Sequence, residues 1–564
     1  MISPSRSCLS STTKNQPMKT KLLITLSLTV VTHAYAGSAT WNLNPTSSDW
    51  NTTTNWTPAT VPNGPTDVAT FGVSNIPVVD HQNVEVNAIV FEPGASSFTI
   101  SSPLALTMSG AGISNNSGVI QIFENEPIDF TDLLNPIVFS NDATAGELTQ
   151  LTAAGGDGDQ FGGEIHFLDS STAGSSALVA SPGRFDGGSG QIRFEDSSFA
   201  GNATITIDSG PTAGDGGGSV VFLDSSNAGN AVIAVDEGGS ANFVDSSSAT
   251  HATISCGGAT GGGSGAILSF SGSSSASHAT LIVNGGTGGG EGGRMLLWGD
   301  SNGETARVKV LGNGMLDIGG HNAPGATIGS LEGTGNVQLT QSIFEGERNL
   351  TIGSNNLNTT FSGIIADAGP PFPTAGSISK VGTGTLTLTG PNLYAGGTTV
   401  SQGALVVSNQ TGSGTGTGAV SVDHGTLGGN GIIGGAVTVR TGSFLAPAIG
   451  SKKQVTLTLQ SSLTLQAAAT YTYSFKARNN EVRTDLLIAN GVSINGAKIK
   501  LKGKTQGTLT PGTVITVISN TSASPISGTF SNLFDGSTIT IGNNTFQADY
   551  EGGDGNDLTL TVVQ

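Results

Sequence analysis

Apolar and polar residues alternate with a period of two along most of this chain, in runs only four to six residues long. In "NATITID", Ala203, Ile205 and Ile207 point one way while Thr204 and Thr206 point the other. That alternation predicts a strand with one buried face. No long stretch carries the 3-4 apolar period of a helix.

The runs recur. Six copies align on an aromatic: "FLDSS" at Phe167, "FEDSS" at Phe194, "FLDSS" at Phe222, "FVDSS" at Phe243, "FSGSS" at Phe270 and "WGDSN" at Trp298. Each is followed by a second strand-like run and a glycine-rich turn. No copy can bury its apolar side alone, so the pattern predicts an all-β, right-handed parallel β-helix, with coils ~4.8 Å apart and like residues stacked. Spacing varies in turns such as "GGATGGGSG", where insertions cost little.

Stacking turns the repeat into columns. Cys256 shares one with Ile207, Val235, Val283 and Val310 and is expected inside as a small hydrophobe. Asn202, Asn230, His251 and His278 form a polar ladder; two histidines without a carboxylate make a weak metal site. Asp169, Asp196, Asp224 and Asp245 form a column that Gly272 interrupts before Asp300. Each Asp is expected to cap N–H groups of its own turn. The alternative is a bound cation, because carboxylates ~5 Å apart repel one another; calcium is the one cofactor candidate.

Composition adds the compartment. From Met18, an alternative start, the chain reads "MKTKLLITLSLTVVTHAYAG": two lysines, about ten apolar residues and a small-x-small site ending at Ala36. This predicts a signal peptide over 1–36 and export, with no membrane span left after cleavage. Beyond it stand 17 basic and 40 acidic residues, a net charge of −23. Such a chain lacks the basic footprint of a nucleic-acid binder. Cys8 leaves with the signal, so Cys256 has no partner for an internal disulfide.

Residues 37–150, with Trp41, Trp50 and Trp56 close together, read as an N-terminal capping β-region, since an open solenoid end invites association; the alternative is that these aromatics hold a sugar ring. The repeats fill 151–312, and further coils 313–379. At 380–408 stands "KVGTGTLTLTGPNLYAGGTTVSQGALVVS". It resembles the autotransporter-associated β-strand repeat, also called the passenger-associated transport repeat, at Lys380, Gly382, Gly384, Asn392, Tyr394, Gly396, Gly397 and Thr398. The resemblance implies a β-helical passenger whose repeat assists transport across an outer membrane. Residues 409–564 read as more β-structure without the aromatic girdles of a membrane barrel, so a separate outer-membrane export partner is expected.

Catalytic signatures are sparse: there is no GxxxxGK[ST], HExxH or GxSxG. The tail "GGDGNDLTL" partly matches a calcium nonapeptide, but one copy forms no calcium roll. The expected function is a non-enzymatic structural or adhesin-like passenger at the cell surface or outside the cell, with the periplasm as alternative. Its expected contacts are surface glycans or like molecules. The alternative is a β-helical polysaccharide lyase or hydrolase, which a basic residue and paired carboxylates in one groove would favour.

Overall fold

The computed structural model describes residues 37–563 apart from 131–135, 211–215, 342–345, 369–374, 450, 452 and 479–480. The expected signal segment lies outside the described residues. The alternating runs form short strands that pair in parallel with their counterparts on adjacent coils. Gln191–Phe194 pairs with Ser219–Phe222, Phe194 opposite Phe222, and Thr204–Ile207 pairs with Val232–Val235, Ile205 opposite Ile233. Two long ladders result: one from Ala39–Trp41 to Ile364–Ala366, the other from Val78–Asp80 to Lys498–Gln506. A third line is one residue per coil, in which Thr172, Phe199, Asn227, Ser248, Ser275 and Asn302 bridge in turn. The chain is a parallel β-helical solenoid.

Inside, like stacks on like. The rings of Phe139, Phe167, Phe194, Phe222, Phe243 and Phe270 follow one another at 4.6–4.8 Å and within 10° of parallel. Each buried ring contributes about 1.5–3 kcal/mol through lost apolar surface. Ala173, Ala200, Ala228, Ala249 and Ala276 fill the narrow corner beside them, all fully buried. Cys256 takes its expected column, opposite Val235 and Val283.

The sixth copy departs from expectation. Leu297, not Trp298, sits opposite Phe270. Trp298 lies one step further on and is 42% exposed. Met295 and Leu297 are the inward pair of Arg294–Leu297, and moving the tryptophan inward would turn both outward. Asp300 therefore stands outside the Asp column, and Gly299 takes that position.

Both ends close by antiparallel pairing. Ala39–Trp41 pairs with Trp56–Thr57, and Trp56 packs edge-on against Trp41, Trp50 and Phe71, all at most 2% exposed. They seal the first coil, and no face of them is left to hold a sugar. Parallel coils already run through much of 37–150, from Gly64–Phe71 onward. At the other end Val514–Asn520 meets Asp557–Val562, which pairs with Asn544–Gly552. Among the described residues no helix is long and apolar enough to cross a membrane.

Candidate functional site

Asp169, Asp196, Asp224 and Asp245 stack on successive coils, each exposed and each in the left-handed backbone region, φ 51–55°. Asn141 begins the column, and Gly272 and Gly299 end it with the same conformation. Each carboxylate reaches back one coil: Asp169 Oδ2 accepts the N–H of Asn141 at 2.9 Å, Asp196 that of Asp169 at 3.1 Å and Asp224 that of Asp196 at 3.2 Å. The caps thus serve the neighbouring turn, where the sequence reading placed them on their own. Asx residues suit the site because they tolerate a left-handed backbone. Among the described residues no three His, Cys, Asp or Glu side chains converge as metal ligands.

The polar ladder forms as read. Asn230 Nδ2 donates to Asn202 Oδ1 at 3.1 Å, the His251 and His278 rings lie 5.0 Å apart, and His278 Nδ1 is hydrogen-bonded to the Thr305 hydroxyl.

In the transport repeat, Lys380 is buried and its Nζ donates to the carbonyls of Val381, Gly382 and Gln402 at 2.6, 3.0 and 3.3 Å. Burial pushes its ammonium down to about 8. Gly382 has φ +67°, and a Cβ there would stand 2.0 Å from the Gly353 carbonyl. Gly384, Gly396 and Gly397 occupy the turns before strands Thr385–Leu388 and Thr398–Val400. Asn392 bridges coils, accepting from Ile365 N–H at 2.8 Å and donating to Gly414 O at 2.7 Å. The buried Tyr394 hydroxyl bonds Thr398 Oγ1 at 2.6 Å. Lys380 and Asn392 thus tie neighbouring coils, and Tyr394 fixes its own turn.

One groove was not foreseen. Asp157, Arg184, Asp208 and Asp236 line a depression of about 550 Å³. Asp208 and Asp236 end the paired strands Thr204–Ile207 and Val232–Val235, so they stand one coil apart. Burial, and then Asp236, push the Asp208 carboxyl up. The signal was the Asp closing both "TITID" and "VIAVD".

The model of the passenger-associated-transport-repeat family matches residues 378–407. The Adhesin BmaC autotransporter of Brucella suis biovar 1 (strain 1330) is 42% identical over 105 residues, 17% of this chain and 3% of that protein. The chain thus aligns with only a small part of that relative's length.

Proposed function

We propose that this chain, a β-helical stack carrying the passenger-associated transport repeat, is an exported adhesin-like passenger that binds rather than catalyses, at the cell surface or outside the cell. The observation that carries the reading is the transport repeat itself, whose Lys380 and Asn392 join coils while Tyr394 fixes its own turn. The adhesin relative supports the same role. Outer faces rich in Ser, Thr, Asn and Gly suit weak, multivalent contact with glycans or like molecules. Export would use a separate or linked outer-membrane barrel.

The test is protease shaving of intact cells, paired with incubation of the secreted protein with polysaccharides. Surface-accessible protein that co-sediments with glycans and creates no new chain ends is expected. Protein retained inside shaved cells would overturn the reading.

A second reading rests on Arg184, Asp208 and Asp236 sharing one groove. Two carboxyls one coil apart, ~4.8 Å by strand spacing, one of them pushed up by burial, stand near the ~5 Å separation of a retaining glycosidase. New chain ends that vanish in Asp208→Asn would replace the first reading with this one.

A further inference from the structure

Charge is distributed unevenly along this chain. Of the 17 Lys and Arg residues after position 36, ten fall within 440–504, against two acids, Glu481 and Asp485. Elsewhere after position 36 stand seven basic residues and 38 acids. A basic segment therefore stands within an otherwise acidic chain.

The fold gathers part of that charge into a trough. Lys498–Gln506 pairs in parallel with Thr470–Arg478, with Lys500 opposite Thr472 and Lys502 opposite Ser474. By alternation Lys500 and Lys502 leave the same face roughly 7 Å apart. Two adjoining depressions of about 340 and 560 Å³ lie over this face and share Ala448, Ser474 and Lys502. Lys453 lines the second and Phe444, 44% exposed, the first.

Among the described residues Lys453, Lys500 and Lys502 form no ion pair. Asp485 is fully buried, and its carboxylate accepts the N–H groups of Val455 at 3.2 Å and Ser474 at 3.0 Å.

We infer that this trough binds an anionic polysaccharide, a single hydroxyl-rich chain bearing carboxylate or sulfate groups. Two features select that class. Ammonium groups at strand spacing meet repeated negative charge, and the exposed Phe444 face offers an apolar surface to a sugar ring. The acidic coils repel the same polymer, which confines binding to the trough. The inference names a ligand for the binding role proposed above and rests on it.

The test uses the secreted full chain on immobilised heparin (sulfate), polygalacturonate (carboxylate) and dextran (neutral). Lys500→Gln/Lys502→Gln is compared with wild type and with the distant Lys309→Gln. Expected is retention on one or both acidic polymers and none on dextran. Retention should weaken as salt rises, fall at least tenfold in the double variant and change less than twofold in Lys309→Gln. Unchanged retention in the double variant, or none in wild type, would overturn the inference. Equal retention of duplex DNA would also overturn it, making the trough a general polyanion trap. Concentration-dependent dimers that the double variant abolishes, without polymer binding, would assign the trough to a second copy. Cell-surface display would be unaffected in every arm, so failure here is separable from failure of the passenger reading.

Discussion

The carboxylate of Asp196 accepts the backbone N–H of Asp169, one coil away, at 3.1 Å. A column that looked like mutual repulsion is thus a line of inter-coil caps, each holding a left-handed turn. Asn preserves both the acceptor and the backbone preference, whereas Ala loses both. Asp224→Asn should therefore stay within about 0.5 kcal/mol of wild type, and Asp224→Ala should lose about 1–2 kcal/mol. Thermal melts with and without EDTA separate this from a calcium column. Caps predict an unchanged melting temperature; calcium predicts a drop, with Asn as harmful as Ala.

Ile205 and Thr204 are neighbours in sequence on opposite sides of the wall, Ile205 fully buried and Thr204 exposed. Ile205→Asp should place an unpaired charge among stacked aliphatic side chains and collapse the local coils. Thr204→Asp should change stability by no more than about 0.5 kcal/mol. Because each coil contacts only its neighbours, the buried charge should also expose a protease-sensitive break near residue 205. Equal melting curves for the two variants would contradict the column assignment.

Cys256 Sγ donates to the Ala266 carbonyl at 3.0 Å, and burial pushes the thiol up to about 12. Native protein at pH 8 should resist thiol reagents and label fully in denaturant. The folded chain keeps this proton where the unfolded chain releases it, near 9. The thiol's contribution to stability is therefore complete below pH 9 and lost as pH climbs toward 12. Cys256→Val, which matches Val235 and Val283 of its column, should remove that part of the alkaline loss. Rapid labelling of native protein would overturn the burial argument.

Much of the stack was legible because repetition and period-two alternation together encode register. Phe194 over Phe222, and Cys256 between Val235 and Val283, follow from aligning copies. Trp298 misled because aromatic identity outweighed alternation, although "RMLL" already offers an inward Leu297. Phe139 was overlooked as the head of the ring stack because "FSNDA" lacks the Asp-Ser-Ser signature. The Asp208–Asp236 pair was legible in the strands "TITID" and "VIAVD", whereas Asp157 and Arg184 reach that groove from turns whose convergence strand patterns do not record. The trough lysines lie where the repeat has degenerated, so no column alignment pointed to them.

Lys380 offers the sharpest test of why the transport repeat keeps a buried lysine. Its three carbonyl partners lie on two segments, Val381–Gly382 and Gln402, so the ammonium ties one turn to the next coil. Lys380→Met keeps the aliphatic stem but leaves three carbonyls short of a donor, and should cost about 2–4 kcal/mol. Holding the charge inside has its own penalty, since burial lowers the ammonium to about 8 from 10.5. Between those values the unfolded chain binds a proton that the folded chain does not, so this group's contribution to stability rises with pH from 8 to 10.5. The deficit of Lys380→Met relative to wild type should widen over that window in denaturant titrations. A deficit that is flat with pH would mean that the lysine titrates alike in both states, and that its hydrogen bonds rather than its desolvation dominate.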